Sequence, residues 1–228
     1  MRSLLRWREA YKDRFWKYNE KTKEKEDIMK NERTVAIVHY NTPELTEATI
    51  LSLRKHGGED YKVVIFDNSD ERPWKKRRKN VKRIDNTKGQ VVDFEKELAK
   101  YPNKVARHGV NGKCVFGSDK HMMSVQYLWG VLKDGFILVE SDVLITHPFD
   151  FLWDEKYAAC GKVQWFRGRR KEHDRLLPWL CYMNVPLLVK NGARYYDPLR
   201  SWALQPGGMA NTQNWYDTGA CLLEDIIK

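Results

Sequence analysis

Residues 34–70, TVAIVHYNTPELTEATILSLRKHGGEDYKVVIFDNSD, decide the fold. TVAIV (34–38) is a short, continuous, β-branched run, long enough for a strand buried on both faces. His39-Tyr40-Asn41-Thr42-Pro43 then reads as a loop. The segment that follows places Leu45, Ala48 and Leu51 on one helical face and stops at Gly57-Gly58. KVVIF (62–66) is a second buried strand. Strand, helix and strand in about 30 residues make a βαβ unit with a right-handed crossover. The runs are continuous, not alternating, which predicts a parallel sheet covered on both sides.

The same signature recurs downstream. FILVE (136–140) is a third buried strand, running into Ser141-Asp142. A helix over 119–133 precedes it, with Ser118 or Asp119 as cap and Met122, Val125, Leu128 and Leu132 on its inner face. Shorter strands are expected at 81–85 and 157–163, and a helix at 91–100. Residues 164–228 carry Pro178, Pro186, Pro198, Pro206 and Gly207-Gly208. They read as a loop-rich half shaped for an acceptor. Upstream, Leu4, Trp7, Tyr11, Phe15 and Tyr18 recur at helical steps opposite a basic face. Residues 1–32 therefore read as an amphipathic helical extension suited to the chain's own core or to an anionic membrane surface. The fold class expected is α/β: a mostly parallel, Rossmann-type sheet flanked by helices.

Composition narrows the class of partner. The 228 residues include 41 Lys plus Arg against 31 Asp plus Glu, a net charge of +10. Such a balance favours anionic partners: nucleotides, phosphates, acidic glycans or membrane surfaces. Nine tryptophans and 42% hydrophobic residues exclude a disordered chain. The four cysteines, Cys114, Cys160, Cys181 and Cys221, form no CxxC pair, which argues against a zinc ribbon. Without an apolar leader or a membrane-length apolar run, they read as reduced thiols of a cytoplasmic protein.

In an open parallel sheet, ligands bind at the carboxyl ends of the strands. Those ends hold His39, Tyr40 and Asn41; then Asp67, Asn68 and Ser69; then Glu140, Ser141 and Asp142. Two carboxylates two residues apart, where a strand leaves the sheet, suit Mg²⁺ or Mn²⁺ shared with substrate phosphates. RPWKKRRKNVKR (72–83) adds eight cations and no carboxylate. It reads as a solvated loop face or a surface for an anionic acceptor or membrane. It lacks the interleaved aromatics of a nucleic-acid site. Trp165, Trp179, Trp202 and Trp215 fall in the loop-rich half, where rings could stack on sugar faces.

TVAIVHYNTPELTEATILSLRKHG, VVIFDNSD and FILVESDVLITHPFD together resemble the nucleotide-sugar half of GT-A glycosyltransferases, especially family-2-like ones. The likeness covers 34–163. It implies that His39, Tyr40 and Asn41 lie against the nucleotide. Asp67 would bond the base or ribose, with Asn68 beside it. Asp142 would hold Mn²⁺ or Mg²⁺ on the diphosphate, and Glu140 would contact ribose or a metal-bound water. Glu140 stands where the family has its first Asp. The function implied is transfer of a hexose from a nucleotide-diphosphate sugar, UDP being the commonest nucleotide, to a glycan, lipid-linked or other acceptor hydroxyl. An acceptor hydroxyl must lose a proton, and Asp217 in NWYDTGAC is the candidate base, with Asp174 second. Asp217 also reads as a helix cap before ACLLEDII. The alternatives are a nucleotidyltransferase, although HYNTPE is not the Gly-rich loop such enzymes carry, and a non-catalytic nucleotide-sugar or glycan-binding protein. A nucleic-acid partner is not expected.

Overall fold

The structure, a computed structural model, describes residues 33–57, 61–100, 116–165, 174–197 and 218–227. The expected N-terminal extension and Asp217 lie outside them. The chain runs β1 (Thr34–His39), α1 (Pro43–His56), β2 (Lys62–Asp67), β3 (Val81–Asp85), α2 (Phe94–Ala99), α3 (Phe116–Val131) and β4 (Phe136–Glu140). A 3₁₀ turn (Asp150–Leu152), β5 (Ala159–Gln164), β6 (Arg175–Met183), α4 (Val185–Lys190) and α5 (Ala220–Ile227) follow. One six-stranded sheet has the order β3-β2-β1-β4-β6-β5. β1 pairs in parallel with β2 and with β4, and β2 in parallel with β3. β6 lies antiparallel to β4 and β5 antiparallel to β6. The protein is thus an α/β fold built on a mixed sheet. Strand order reverses direction at β1, whose two neighbours, β2 and β4, lie on opposite sides of it.

Side chains alternate across this sheet and make two cores. Val35, Ile37, Val63, Ile65, Ile137 and Val139 face α1, where Ile50 and Leu53 cover them. Ala36, Val64, Phe66 and Leu138 alternate with these and are buried as well. α3 covers that second face with Met122, Val125, Leu128 and Trp129, all buried. Phe66 meets Tyr127 with ring centroids 5.4 Å apart. Burying one such side chain contributes about 1.5–3 kcal/mol, so the two layers anchor the strand ends firmly.

Three expectations are corrected. First, α1 does not bury Leu45, Ala48 and Leu51: Leu45 and Leu51 are 48% and 51% exposed. Its inner face is Thr46, Thr49, Ile50 and Leu53, with Glu47 beside them. The threonines are inside because they bond to strand ends, which local periodicity does not encode. Second, the described part of 164–228 is not all loop: β6 lies within the sheet between β4 and β5. Pro178 had read as a breaker. Pairing to β4 stops at Leu180, and pairing to β5 skips from Cys181 to Leu176. Pro178 sits in that gap, where no ladder needs its missing N–H. Third, α3 begins at Phe116, so Ser118 and Asp119 lie in its first turn instead of capping it.

The C-terminal helix packs on β6 and begins at a close backbone contact. Gly219 has φ +80°, and its carbonyl accepts from the Leu176 N–H at 3.3 Å. A Cβ at Gly219 would stand 2.0 Å from the Leu176 carbonyl oxygen. Gly219→Ala is therefore expected to lower stability by at least about 2 kcal/mol, from left-handed strain plus backbone displacement. A urea midpoint unchanged from the parent would contradict this reading.

Candidate functional site

The carboxyl ends of β1, β2, β3 and β4 gather the polar residues, and the alternation that makes two cores sorts them into two groups. His39 and Asp67, opposite each other in the register, turn to the α1 side. Both are fully buried. The Nε2–H of His39 donates to the Arg72 carbonyl at 3.3 Å, so Nδ1 accepts from the Thr46 hydroxyl at 2.7 Å. Burial holds the imidazole below its ordinary pKa, and the ring is neutral.

Asp67 accepts from every side. Oδ1 takes the Ser69 N–H at 3.0 Å; Oδ2 takes the Trp74 N–H at 3.0 Å and Arg83 Nε at 2.7 Å. Its carboxylate therefore holds the β2–β3 loop and has no surface left to meet a nucleotide. Asn41, in the left-handed region at φ 53°, does related work. Its N–H donates to Ser69 Oγ at 2.9 Å, its Nδ2 to Asp70, and its Oδ1 accepts the N–H groups of Glu71 and Arg72. Asn tolerates this backbone conformation better than most residues.

The second group faces α3. Tyr40 is 48% exposed, and its hydroxyl donates to Asp70 Oδ2 at 2.8 Å. Hydrogen bonds from Asn41 and Tyr40 hold the Asp70 carboxyl below the usual range, and the Tyr40 hydroxyl is pushed up by its bond to Asp70. Lys120, on the first turns of α3, sets its ammonium 6.0 Å from the Tyr40 ring centroid and 5.7 Å from that of Phe94. Asn68 donates to Ser124 Oγ at 2.8 Å and accepts from Asn86 Nδ2 at 3.0 Å. Asn86 Oδ1 in turn accepts the N–H groups of Val91 and Val92. That loop borders a cleft of about 340 Å³, lined also by Met123, Gln126 and Tyr196.

Glu140, half-buried, ends β4 opposite Val38 in the register. It lies near enough to Cys181 to add to the upward push that burial gives that thiol. Ser141 turns to the α1 side, where its carbonyl accepts from Thr49 Oγ1 at 3.0 Å. Asp142 is exposed. Glu140 and Asp142 offer hard oxygen donors two residues apart, a donor type that suits Mg²⁺ or Mn²⁺ completed by substrate oxygens. Among the described residues, no three His, Cys, Asp or Glu side chains gather as a metal cage.

The structure thus brings Tyr40, Asn68, Glu140 and Asp142 to one strand edge and turns His39 and Asp67 into its foundations. Asp174 is half-buried just before β6, at the end of a β5–β6 ladder extending past Leu180, where β4 pairing stops. Sequence reading missed Thr46, Thr49, Arg83, Asn86, Lys120 and Ser124. Two of these left a signal: Thr46 and Thr49, one helical turn apart, are polar on what must be a packed helix. Neither family models nor curated proteins compared with the chain match it.

Two stability measurements check these roles. Asp67→Asn leaves Arg83 facing a lost charge in a largely buried pair, so the urea midpoint should report a loss of about 2–4 kcal/mol. Asp142→Asn, at an exposed position, should change it by less than about 0.5 kcal/mol. For His39, the folded pKa lies below the unfolded value of 6.5. The unfolded chain then binds the proton first, so its contribution is complete above pH 6.5 and is lost as pH falls from there toward the folded value. Stability measured from pH 8 to 5 should therefore drop more steeply for the parent chain than for His39→Gln. Parallel profiles would remove His39 from the loop's support.

Proposed function

We propose that the chain is a GT-A-type glycosyltransferase. It moves a hexose from a nucleotide-diphosphate sugar, UDP-linked in the first instance, to an acceptor hydroxyl, with Mn²⁺ or Mg²⁺. The observation that carries this reading is the set of side chains at the point where β1 lies between β2 and β4. There, exposed Tyr40 and Asp142, half-buried Glu140 and the Lys120 ammonium stand at one strand edge. A topological switch point in an α/β sheet is where nucleotides bind. Carboxylates and a cation at strand ends of one sheet suit a metal–diphosphate pair.

In this reading, the Tyr40 ring borders the nucleotide, and Asn68, locked between Ser124 and Asn86, holds the wall beneath it. Asp142 and Glu140 would hold the divalent ion. That ion, when bound, offsets the negative charge that grows on the leaving diphosphate. Lys120 adds a fixed positive charge on the opposite side, made more effective by the two rings that exclude water from it. His39, Asn41 and Asp67 act at one remove, by fixing the loop that carries Asp70. Asp217 is the proposed base toward the acceptor.

The reading also places the protein in the cytoplasm, peripheral to membranes, with residues 1–32 as an amphipathic appendage and no nucleic-acid partner. Among the described residues, no helix is long and apolar enough to cross a membrane.

A thermal-shift panel of nucleoside diphosphates and nucleotide sugars, with and without Mn²⁺, tests it. Ligand at a hundredfold excess over Kd adds about 2.7 kcal/mol, a rise of roughly 5–10 °C for a chain of this size. The rise should require Mn²⁺, vanish in Asp142→Asn and shrink in Lys120→Met. No response to any nucleotide would sink the proposal. Asp217→Asn should preserve that rise while slowing sugar transfer at least about a hundredfold.

A further inference from the structure

The basic run after β2 is sorted by the fold into two sets of cations. The even-numbered positions are tied to the protein. Arg72 pairs with Glu44 at 2.5 Å, and its carbonyl accepts from His39. Trp74 is buried, with its N–H on Asp67. Lys76 reaches the buried Glu47 at 3.8 Å, and Arg78 pairs with the same carboxylate. Arg54 donates to the carbonyls of Lys79 and Asn80, and the Asn80 carbonyl also accepts the Val63 N–H. The segment is therefore fastened at almost every second residue. Lys75, Arg77 and Lys79 alternate with these anchors. All three are exposed, and none makes an ion pair within 4 Å among the described residues.

We infer that Lys75, Arg77 and Lys79 form a docking strip for an anionic lipid surface, separate from the strand-end site. The anchors at Trp74, Lys76 and Arg78 alternate with the strip's cations, which are therefore presented on a fixed backbone. Rigid presentation lowers the ordering cost that a floppy basic loop would meet on binding. Single-stranded nucleic acid would need exposed rings on which bases stack, but the run's one aromatic, Trp74, is the residue that plugs the core. A duplex would need an element that enters a groove, and this loop lies along α1 and the sheet edge. A plane of headgroups asks only for charges held outward. Leu51 of α1 is exposed and one turn from Glu47 and Arg54, both of which hold this loop. It offers an apolar contact on the same flank.

The test is co-sedimentation of the full chain with phosphatidylcholine vesicles containing about one-third phosphatidylserine. The triple variant K75Q/R77Q/K79Q is compared with the parent on the same vesicles. Each cation near such a surface is worth about a fivefold gain in affinity, so the triple variant should bind about a hundredfold more weakly. Binding should also fall with added salt and vanish on pure phosphatidylcholine. The three side chains are exposed, so melting temperature should not change. If the triple variant unfolds, the double variant K75Q/K79Q, about 25-fold weaker, serves in its place. Parent-like vesicle binding by the variants, or none by the parent, overturns the inference and leaves the cations as guards of the sheet edge. So does loss in the variant of poly(U) binding tighter than vesicle binding. Nucleotide thermal shifts should be the same in parent and variant, so this proposal and the glycosyltransferase reading can fail separately.

Discussion

The carboxylate of Asp67 is the constraint on which the upper edge of the sheet depends. A fully buried charge is costly unless its oxygens are met by donors, and here three donors from three segments meet it. The Ser69 N–H turns the chain as it leaves β2. The Trp74 N–H pulls the loop back over the α1-side core, so that the indole can plug it. Arg83 ties in β3. Each donor needs the others, because a half-satisfied buried carboxylate is worse than none. Ser69, fixed in this way, also receives the Asn41 N–H at the end of β1. The geometry of the candidate site is thus set from below, by a charge that never reaches solvent.

Division of labour between neighbours follows from the pleat of the sheet. Adjacent residues at a strand end must point to opposite faces. His39 and Tyr40, or Asp67 and Asn68, cannot both enter one cleft. The fold uses the difference. The α1-side members are fully buried and support the loops, while on the α3 side Tyr40 lies exposed beside Lys120 and Asn68 is fixed between Ser124 and Asn86. α1 is adapted to this: its inner face carries Thr46 for His39 and Thr49 for Ser141, with Ile50 and Leu53 supplying the apolar seal. Glu47, almost buried on the same helix, ties down Lys76 and Arg78. That leaves the cations between and beyond them facing outward.

Much of the fold was legible in the chain. TVAIV, KVVIF and FILVE are continuous apolar runs bounded by turn residues, and such runs fit only strands covered on both sides. The edge where polar residues collect was legible for the same reason, since Asp67-Asn68-Ser69 and Glu140-Ser141-Asp142 interrupt those runs at their ends. The roles within the edge were not. Asp67 and Asn68 are both polar, adjacent and buried, and only pairing with β1 shows which one turns to the α1 side. Leu45, Ala48 and Leu51 gave the better apolar stripe on α1, yet the fold left Leu45 and Leu51 exposed, because hydrogen bonds to distant strand ends outweighed a modest apolar gain. Pro178 read as a break, because the ladder gap that accommodates it involves both neighbouring strands.

The amino-acid order by itself determined that a parallel βαβ core would form, where its strands would end, and that those ends would be polar. These are short-range properties of hydrophobic pattern and turn chemistry, available within about 30 residues of chain. Only the tertiary structure decided which polar residues look outward and which become buried braces. Register and helix facing are set by partners far away in sequence. Asp67 is inward because Arg83 is there to meet it, and Glu47 because Arg78 reaches it across 31 positions.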